Sequence, residues 1–324
     1  MKVPFMWAGV VAATFAAMFA NSVSAQQDYP ARPIRLVTMF APGSTSDLHA
    51  RFISPKLTEQ LGQSIIVDNK GGGGGIAAMR DVYRSQPLGY SVLLANGALV
   101  GNAIAFRDPG YKLEDYTPIG VYGQTFYGMI IHTMVPAKTL AEFVAYARAN
   151  PDKLNYGALG PAAGSTLNAE RFKQMAGIDM TGVPFKGGDP VSIALLAGDI
   201  QVYWATLNTA RSRTQNKQII ALAVTSDQRT QVMPNVPTFR ELGYPGMNAS
   251  SWEAVFAPSA VPAAMLKRLR DAFDKAAATP DWKATVEKQE YEPWRGTADQ
   301  FMARLREEST QLAADYKRLN IPLE

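Results

Sequence analysis

The sequence predicts an α/β protein folded as two lobes. Three observations predict it. A chain of 324 residues is about twice the size of a typical domain. Short β-branched apolar runs alternate with segments of helical period, the pattern of parallel sheets covered by helices. That alternation occurs twice, on either side of a join near residues 121–126.

Residues 34–40 read as the first strand. The turn Ala41-Pro42-Gly43 leads to a helix over about 46–61. Leu48, Phe52, Leu57 and Leu61 are expected on its apolar face, Pro55 should kink or tighten it, and Gly62 is its stop. A strand at 64–67, five glycines at 71–75, a helix near 76–86 and a strand at 90–94 complete a βαβαβ unit. Beyond the join come a strand near 126–132, a helix over 139–149, a strand at 154–157 and a helix over 165–176. Next are a strand at 182–185, a helix over 190–197, a strand at 200–204 and a buried strand at 219–224. Helices near 262–279 and 297–317 close the chain, the second opened by a Thr297/Gln300 capping box.

Composition removes several chemistries. The chain has no cysteine, so disulfides, thiolate nucleophiles and cysteine-ligated metals are excluded. Its two histidines, His49 and His132, cannot build a multi-histidine metal centre. The net charge of +4 comes from 32 basic and 28 acidic residues without a basic run, which argues against nucleic acid as a partner. At the N-terminus, Lys2, an apolar stretch and Val23-Ser24-Ala25 have the form of a secretory leader at 1–25, cleaved near Ala25. A retained membrane anchor is the alternative for this stretch; the small residues at its end favour cleavage.

Three loops between a strand and a helix carry hydroxyls, glycines or a cap. They are Phe40-Ala41-Pro42-Gly43-Ser44-Thr45-Ser46-Asp47, residues 157–166 including Gly160, Ser165 and Thr166, and Lys186-Gly187-Gly188-Asp189-Pro190. In the third, Asp189 is expected as the N-cap with Pro190 at the first helical position. Unpaired N–H groups and the positive end of the helix dipole make such termini anion sites, and two from opposite lobes could hold one carboxylate or both ends of a diacid. Capping alone accounts for any one of them. Gly72, Gly74 and Ala77 satisfy G-x-G-x-x-A, but no acidic residue follows at ribose-binding distance, so a tight turn is the better reading and no cofactor is expected. G-x-S-x-G, the Walker lysine motif and H-E-x-x-H are absent. The pair Asp47 and Asp189 is explained by helix starts without acid–base chemistry. Phe40, Tyr122, Phe126, Tyr127 and Trp204 fall near the loops; lining a cleft, they would favour a flat or apolar ligand body, whereas core packing is their default role.

The stretch 29–37 followed by Phe40-Ala41-Pro42-Gly43 and Asp47 resembles the mature start of Bug-type receptors, the periplasmic solute-binding proteins of tripartite tricarboxylate transporters. Further matches run in order: Leu61-Gly62-Gln63, Val67-Asp68-Asn69-Lys70-Gly71, Pro87-Leu88-Gly89-Tyr90, residues 150–156, residues 172–177, Val183-Pro184-Phe185-Lys186-Gly187-Gly188, residues 221–226 and Pro234-Asn235-Val236-Pro237-Thr238. Together they span essentially the whole chain after the leader.

The resemblance implies a non-catalytic, two-lobed periplasmic binding protein of the type II, clamshell class. Two parallel-rich sheets flanked by helices are expected, with residues 26–122 plus 252–324 as one lobe and 123–251 as the other. It nominates Ala41, Gly43, Ser44, Thr45 and Ser46, with Ser165 and Thr166, as carboxylate ligands, and Gly188 and Asp189 at the other end. Phe40, Phe126, Gly160, Trp204 and Thr206 complete the expected site. Three departures bear on the ligand. The first loop has Ser44 and Thr45 where glycines are frequent, Ala205-Thr206 replaces an Asp-Asn pair suited to an amino-acid ammonium, and Asn168 stands where histidine is frequent. They point to a carboxylate with an apolar or aromatic body, terephthalate in the first place and aliphatic di- or tricarboxylates such as adipate or citrate next. The implied partners are the membrane subunits of the transporter, with a sensor protein as the alternative, and the receptor is expected to be a monomer.

Overall fold

The computed structural model describes residues 29–185, 187–318 and 323; the leader at 1–25 and Lys186 lie outside them. Strands β1 (Ile34–Thr38), β2 (Ile65–Asn69) and β3 (Ser91–Asn96) are parallel, in the order β2-β1-β3. They are joined by helices α1 (Thr45–Leu61) and α2 (Ile76–Tyr83), and α3 (Ala98–Ala105) follows β3. The glycines at 71–75 form the expected tight entry to α2: Gly72, Gly74 and Gly75 have positive φ, which side chains resist.

The join is one long strand, β4 (Tyr116–His132), of 17 residues. After it come α4 (Leu140–Ala149), β5 (Asn155–Ala158), α5 (Gly164–Ala176), β6 (Thr181–Pro184), α6 (Gly188–Ala197), β7 (Val202–Thr206), α7 (Leu207–Arg213) and β8 (Ile219–Val224). The chain then returns through β9 (Ser250–Pro258) and ends in α8 (Ala263–Ala277), α9 (Pro280–Lys288) and α10 (Ala298–Arg318). Residues 116–126 of β4 pair antiparallel with β9, which in turn pairs with β3. From Tyr127 onward β4 pairs instead with β7 and β8, and β7 continues in parallel to β5 and β6. Each lobe thus has three parallel strands, and the two sheets meet in a single strand.

Helices cover both faces of both sheets, so strand alternation sets which core each side chain enters. In the first lobe α2, α3 and α10 enclose Met79, Leu99, Trp252, Phe256 and Phe301, while α1, α8 and α9 enclose Ile53, Leu57, Tyr122, Phe273 and Trp282 on the other face. In the second lobe Met129, Ile131, Phe143, Phe172 and Trp204 form one core, and Ile130, Val191, Leu195, Tyr203 and Ala205 the other.

Two local expectations are corrected. The buried stripe of α1 runs through Ser46, Ala50, Ile53, Leu57 and Leu61, which rotates Leu48 outward to 56% exposure. Helix α6 begins at Gly188 with Gly187 as its N-cap, so Asp189 sits within the first turn and does not cap it. The Thr297/Gln300 box is present, with backbone-to-side-chain bonds of 2.8 and 3.1 Å.

Candidate functional site

Register locates the gap between the lobes. Asn96, the last residue of β3, and Gly123 of β4 both lie opposite Glu253, while Thr206, the last residue of β7, lies opposite Tyr127. Four residues of β4, about 13 Å of strand, therefore separate the carboxyl ends of the first lobe's strands from those of the second. The carboxyl ends of β1, β2 and β3 face those of β5, β6 and β7 across it. Helices α1, α2, α3, α5, α6 and α7 all begin at this gap.

Most of these helices begin without a side-chain cap. Only α1 has one: Ser44 Oγ accepts the Asp47 N–H at 3.3 Å. Gly75, Gly97, Ala163, Gly187 and Thr206, at the N-caps of α2, α3, α5, α6 and α7, make no such bond. Away from the gap, α4 is capped by Thr139 and α10 by Thr297 with Gln300, while α8 and α9 have no side-chain cap. At α3 the Asn96 side chain accepts the Ala98 N–H at 3.0 Å, and at α7 the Asn208 side chain accepts the Thr209 N–H at 2.7 Å. The open N–H groups at the gap therefore belong to α2, α5 and α6, where the helix dipoles add positive potential.

In the first loop, Ala41, Gly43 and Thr45 are exposed, and Phe40 is half-buried against the core under α3. Asp47 shapes this loop by accepting from Gly43 N–H and Arg51 Nε, both at 2.9 Å, and from Asn69 at 3.0 Å. The Arg51 bond, with the Gly43 bond second, lowers its pKa to about 2. Ser46 turns inward: its hydroxyl donates to Glu253, whose other oxygen accepts from His49 Nδ1. His49 stacks on Tyr122 at 4.1 Å, and all three members of this network are buried.

In the second loop, Thr166 Oγ1 accepts the Leu159 N–H at 3.0 Å and fixes the turn through exposed Gly160. Ser165 Oγ and both polar atoms of the Asn168 amide are buried with no hydrogen-bond partner among the described residues. Unfilled polar atoms of this kind mark a place for water or ligand. Gly164 lies against the Tyr127 ring, since a β-carbon there would stand 2.2 Å from its hydroxyl. Ala162 packs on the same core as Phe40 and abuts Gly101 of α3, so the two loops meet at one corner. Buried Asp315 of α10 ties the lobes together, accepting from Arg171 of α5 at 2.6–2.7 Å.

The remaining sequence candidates are dispersed. Gly188 is half-buried, and the Asp189 side chain is 95% exposed with Arg213 at 3.9 Å. Thr206 Oγ1 is bonded to Asn208 at 2.6 Å. Phe126 is half-buried against the core beneath α6 and α7. Trp204 does not line the gap. Alternation along β7 sends Val202 and Trp204 toward α5, and the indole packs on Phe172 in the core.

Sequence reading missed Glu253 and Glu308. Both were visible as acids breaking an apolar pattern: Glu253 within Trp252-Glu253-Ala254-Val255-Phe256, and Glu308 on the helical row of Phe301, Leu305 and Leu312.

Comparison with known proteins agrees with this architecture. Residues 49–321 match the family described as tripartite tricarboxylate transporter family receptor. The protein BugT of Bordetella pertussis is 30% identical over 282 residues, 86% of this chain and 85% of that one. Among solved structures, the periplasmic binding protein BugD is 26% identical with a TM-score of 0.79, covering 91% of this chain and 99% of that one. The R. palustris protein Rpa4515 with adipate is 27% identical with a TM-score of 0.81, over 91% and 99%. With two α/β lobes joined through one strand and a matching family over most of its length, this chain belongs to the tripartite tricarboxylate transporter receptors, a family of periplasmic solute-binding proteins and not of enzymes.

Proposed function

We propose that this chain is an exported receptor that holds a dicarboxylate in the gap between its lobes and passes it to the membrane subunits of a tripartite transporter. The observation that carries this reading is the gathering of uncapped helix N-termini from both lobes, α2 from the first and α5 and α6 from the second, at one gap. One carboxylate is held by the backbone of Ala41, the Thr45 hydroxyl, and the α5 terminus with Ser165 and Thr166, while Gly43, bonded to Asp47, fixes the shape of the loop. The other reaches the α6 terminus at Gly188. The leader is removed near Ala25, the receptor works in the periplasm as a monomer, and the lobes, 26–122 plus 252–324 and 123–251, close about β4 and the start of β9. Ligand drives closure only by preferring the closed form.

For the ligand body, Phe40, Phe126 and Tyr127 beside the gap support an aromatic diacid such as terephthalate. Burial of Trp204 removes one aromatic from that case, and the relative solved with adipate supports an aliphatic diacid as the second reading. Thermal shifts of the mature protein with terephthalate, phthalate, adipate, malate, citrate, aspartate and glutamate decide between them. A ligand of the folded state raises the midpoint by mass action, by about 2.7 kcal/mol of added stability at a hundredfold excess over Kd. A response to terephthalate without adipate supports the aromatic body, and the converse supports the aliphatic one. No response to any acid defeats the dicarboxylate assignment.

A further inference from the structure

Glu308 stands on the face of α10 that carries Phe301, Leu305 and Leu312, all of them in the first lobe's core. A carboxylate on such a row is costly unless something holds it. One oxygen, Oε2, accepts the indole N–H of Trp252 at 3.1 Å. The other, Oε1, lies beside the start of α3, 3.9 Å from where a β-carbon on Gly97 would stand. Among the described residues nothing hydrogen-bonds Oε1.

Its position is at the floor of the gap. Gly97 is the N-cap of α3, whose first N–H, that of Ala98, donates to the Asn96 side chain at 3.0 Å, and one turn further along that helix Gly101 abuts Ala162 of the second loop. The charged and titratable groups that face Glu308 are Arg304 on its own helix, Arg171 on α5 and Tyr127 on β4. Arg171 is itself bonded to Asp315, and Arg304 to Gln124 at 2.7 Å and to Ser250. Neither arginine is hydrogen-bonded to Glu308.

An ionised Oε1 would repel any carboxylate drawn to this corner of the gap. Protonated, the same group has one O–H to give, and a carboxylate has lone pairs to receive it. Burial pushes Glu308 toward that neutral form, opposed in part by the Trp252 bond and the two arginines.

We infer that Glu308 is a specificity-determining residue of the gap, meeting one carboxylate of the solute as a protonated acid and donating a hydrogen bond to it. This rests on the dicarboxylate reading above. Binding then takes up a proton wherever free Glu308 is ionised, and affinity falls by up to about tenfold per pH unit in that range. The ligand class selected is a fully ionised diacid; a solute presenting an ammonium to this corner requires Glu308 ionised and takes up no proton.

The test is isothermal titration of the mature protein and of Glu308→Gln with terephthalate, adipate, malate and aspartate, between pH 6 and 8, in buffers of different ionisation enthalpy. Glutamine keeps an acceptor for Trp252, and a thermal midpoint close to the parent's confirms that the variant folds. The expected result is proton uptake approaching one per ligand in the parent, and none, with a flat pH profile, in Glu308→Gln. Where no uptake is seen up to pH 8, the titration is carried to pH 10, where a carboxyl neutral in the free protein ionises. Binding by the parent without proton uptake over the whole range, or the same pH profile in both proteins, overturns the inference. Loss of aspartate binding alone in the variant also overturns it, in favour of an ammonium partner. If the parent binds none of the four acids, the dicarboxylate reading itself fails and takes this inference with it.

Discussion

Replacing Arg171 with a neutral side chain removes the main partner of a carboxylate that has no solvent to fall back on. Asp315 is fully buried and accepts two bonds from Arg171, at 2.7 Å from Nε and 2.6 Å from Nη2. Breaking a buried pair by deleting one member costs about 3–5 kcal/mol, far above the zero to ~1 kcal/mol of a surface pair. Two features lower that figure here. Arg318 still reaches the second oxygen of Asp315 at 2.9 Å, and the Arg171 side chain is 16% exposed, so water can enter its place. For Arg171→Met we expect a loss of about 2–3 kcal/mol, which for a chain of this size lowers the thermal midpoint by roughly 4–10 °C. Calorimetry of the parent, Arg171→Met, Asp315→Asn and the double variant measures it and, through the cycle, the coupling itself. Because the pair joins α5 to α10, ligand affinity should weaken together with stability. A change within about 0.5 kcal/mol in Arg171→Met, or a coupling energy that small, refutes the claim that this pair holds the lobes in register.

Gly164→Ala places a β-carbon 2.2 Å from the Tyr127 hydroxyl and should cost about 1–3 kcal/mol by overpacking. Adding Tyr127→Phe removes the closest atom and should recover part of the loss; a urea midpoint unchanged in Gly164→Ala counts against the close approach. Asp47→Asn tests the first loop by its pH dependence. The folded-state pKa of about 2 lies below the ordinary carboxylate value, so the Asp47 contribution is complete above about pH 4 and fades as pH falls through 2. The parent and Asp47→Asn should therefore differ in urea midpoint at pH 5 and converge near pH 2. A difference that is the same at both pH values would rule out Asp47 as its source.

Much of the fold was legible because the cores obey short-range periodicity. The strands at 34–38, 65–69 and 219–224 are apolar runs, and the helix at 140–149 is bounded by the capping residue Thr139 and the last-turn Arg148. The first half of β4 was not legible. It contains Pro118, Gly120 and Gly123, and two register shifts against β9 interrupt its alternation, so the segment reads as a loop. Helix α3 was missed because Ala98-Leu99-Val100-Gly101-Asn102-Ala103 has no polar face to give it period. At the site, the loops and their glycines were readable as strand-to-helix turns. What could not be read were partnerships across the chain: Ser46 and His49 meet Glu253 more than 200 residues away. Trp204 illustrates a different failure. It was expected to end a strand at 200–204, but β7 runs from Val202 to Thr206 with Trp204 at its centre. Which face it takes depends on register, since a shift of one residue reverses the answer.

The single strand shared by both sheets also limits how the length of this chain can drift. Inserting one residue into β4 between Gly123 and Tyr127 would turn Met129 and Ile131 toward α6 and α7, and send Ile130 to the opposite core. Every layer of the second lobe would then face the wrong partner while the first lobe stayed intact. Two inserted residues would preserve the faces but move the rims of the gap about 7 Å apart. This stretch therefore serves as a ruler for the distance between the rims. Insertions and deletions among related receptors should be sought in segments such as 226–236 and 240–249, on either side of the bridge between Thr238 and Val224, where no strand pairing would register them.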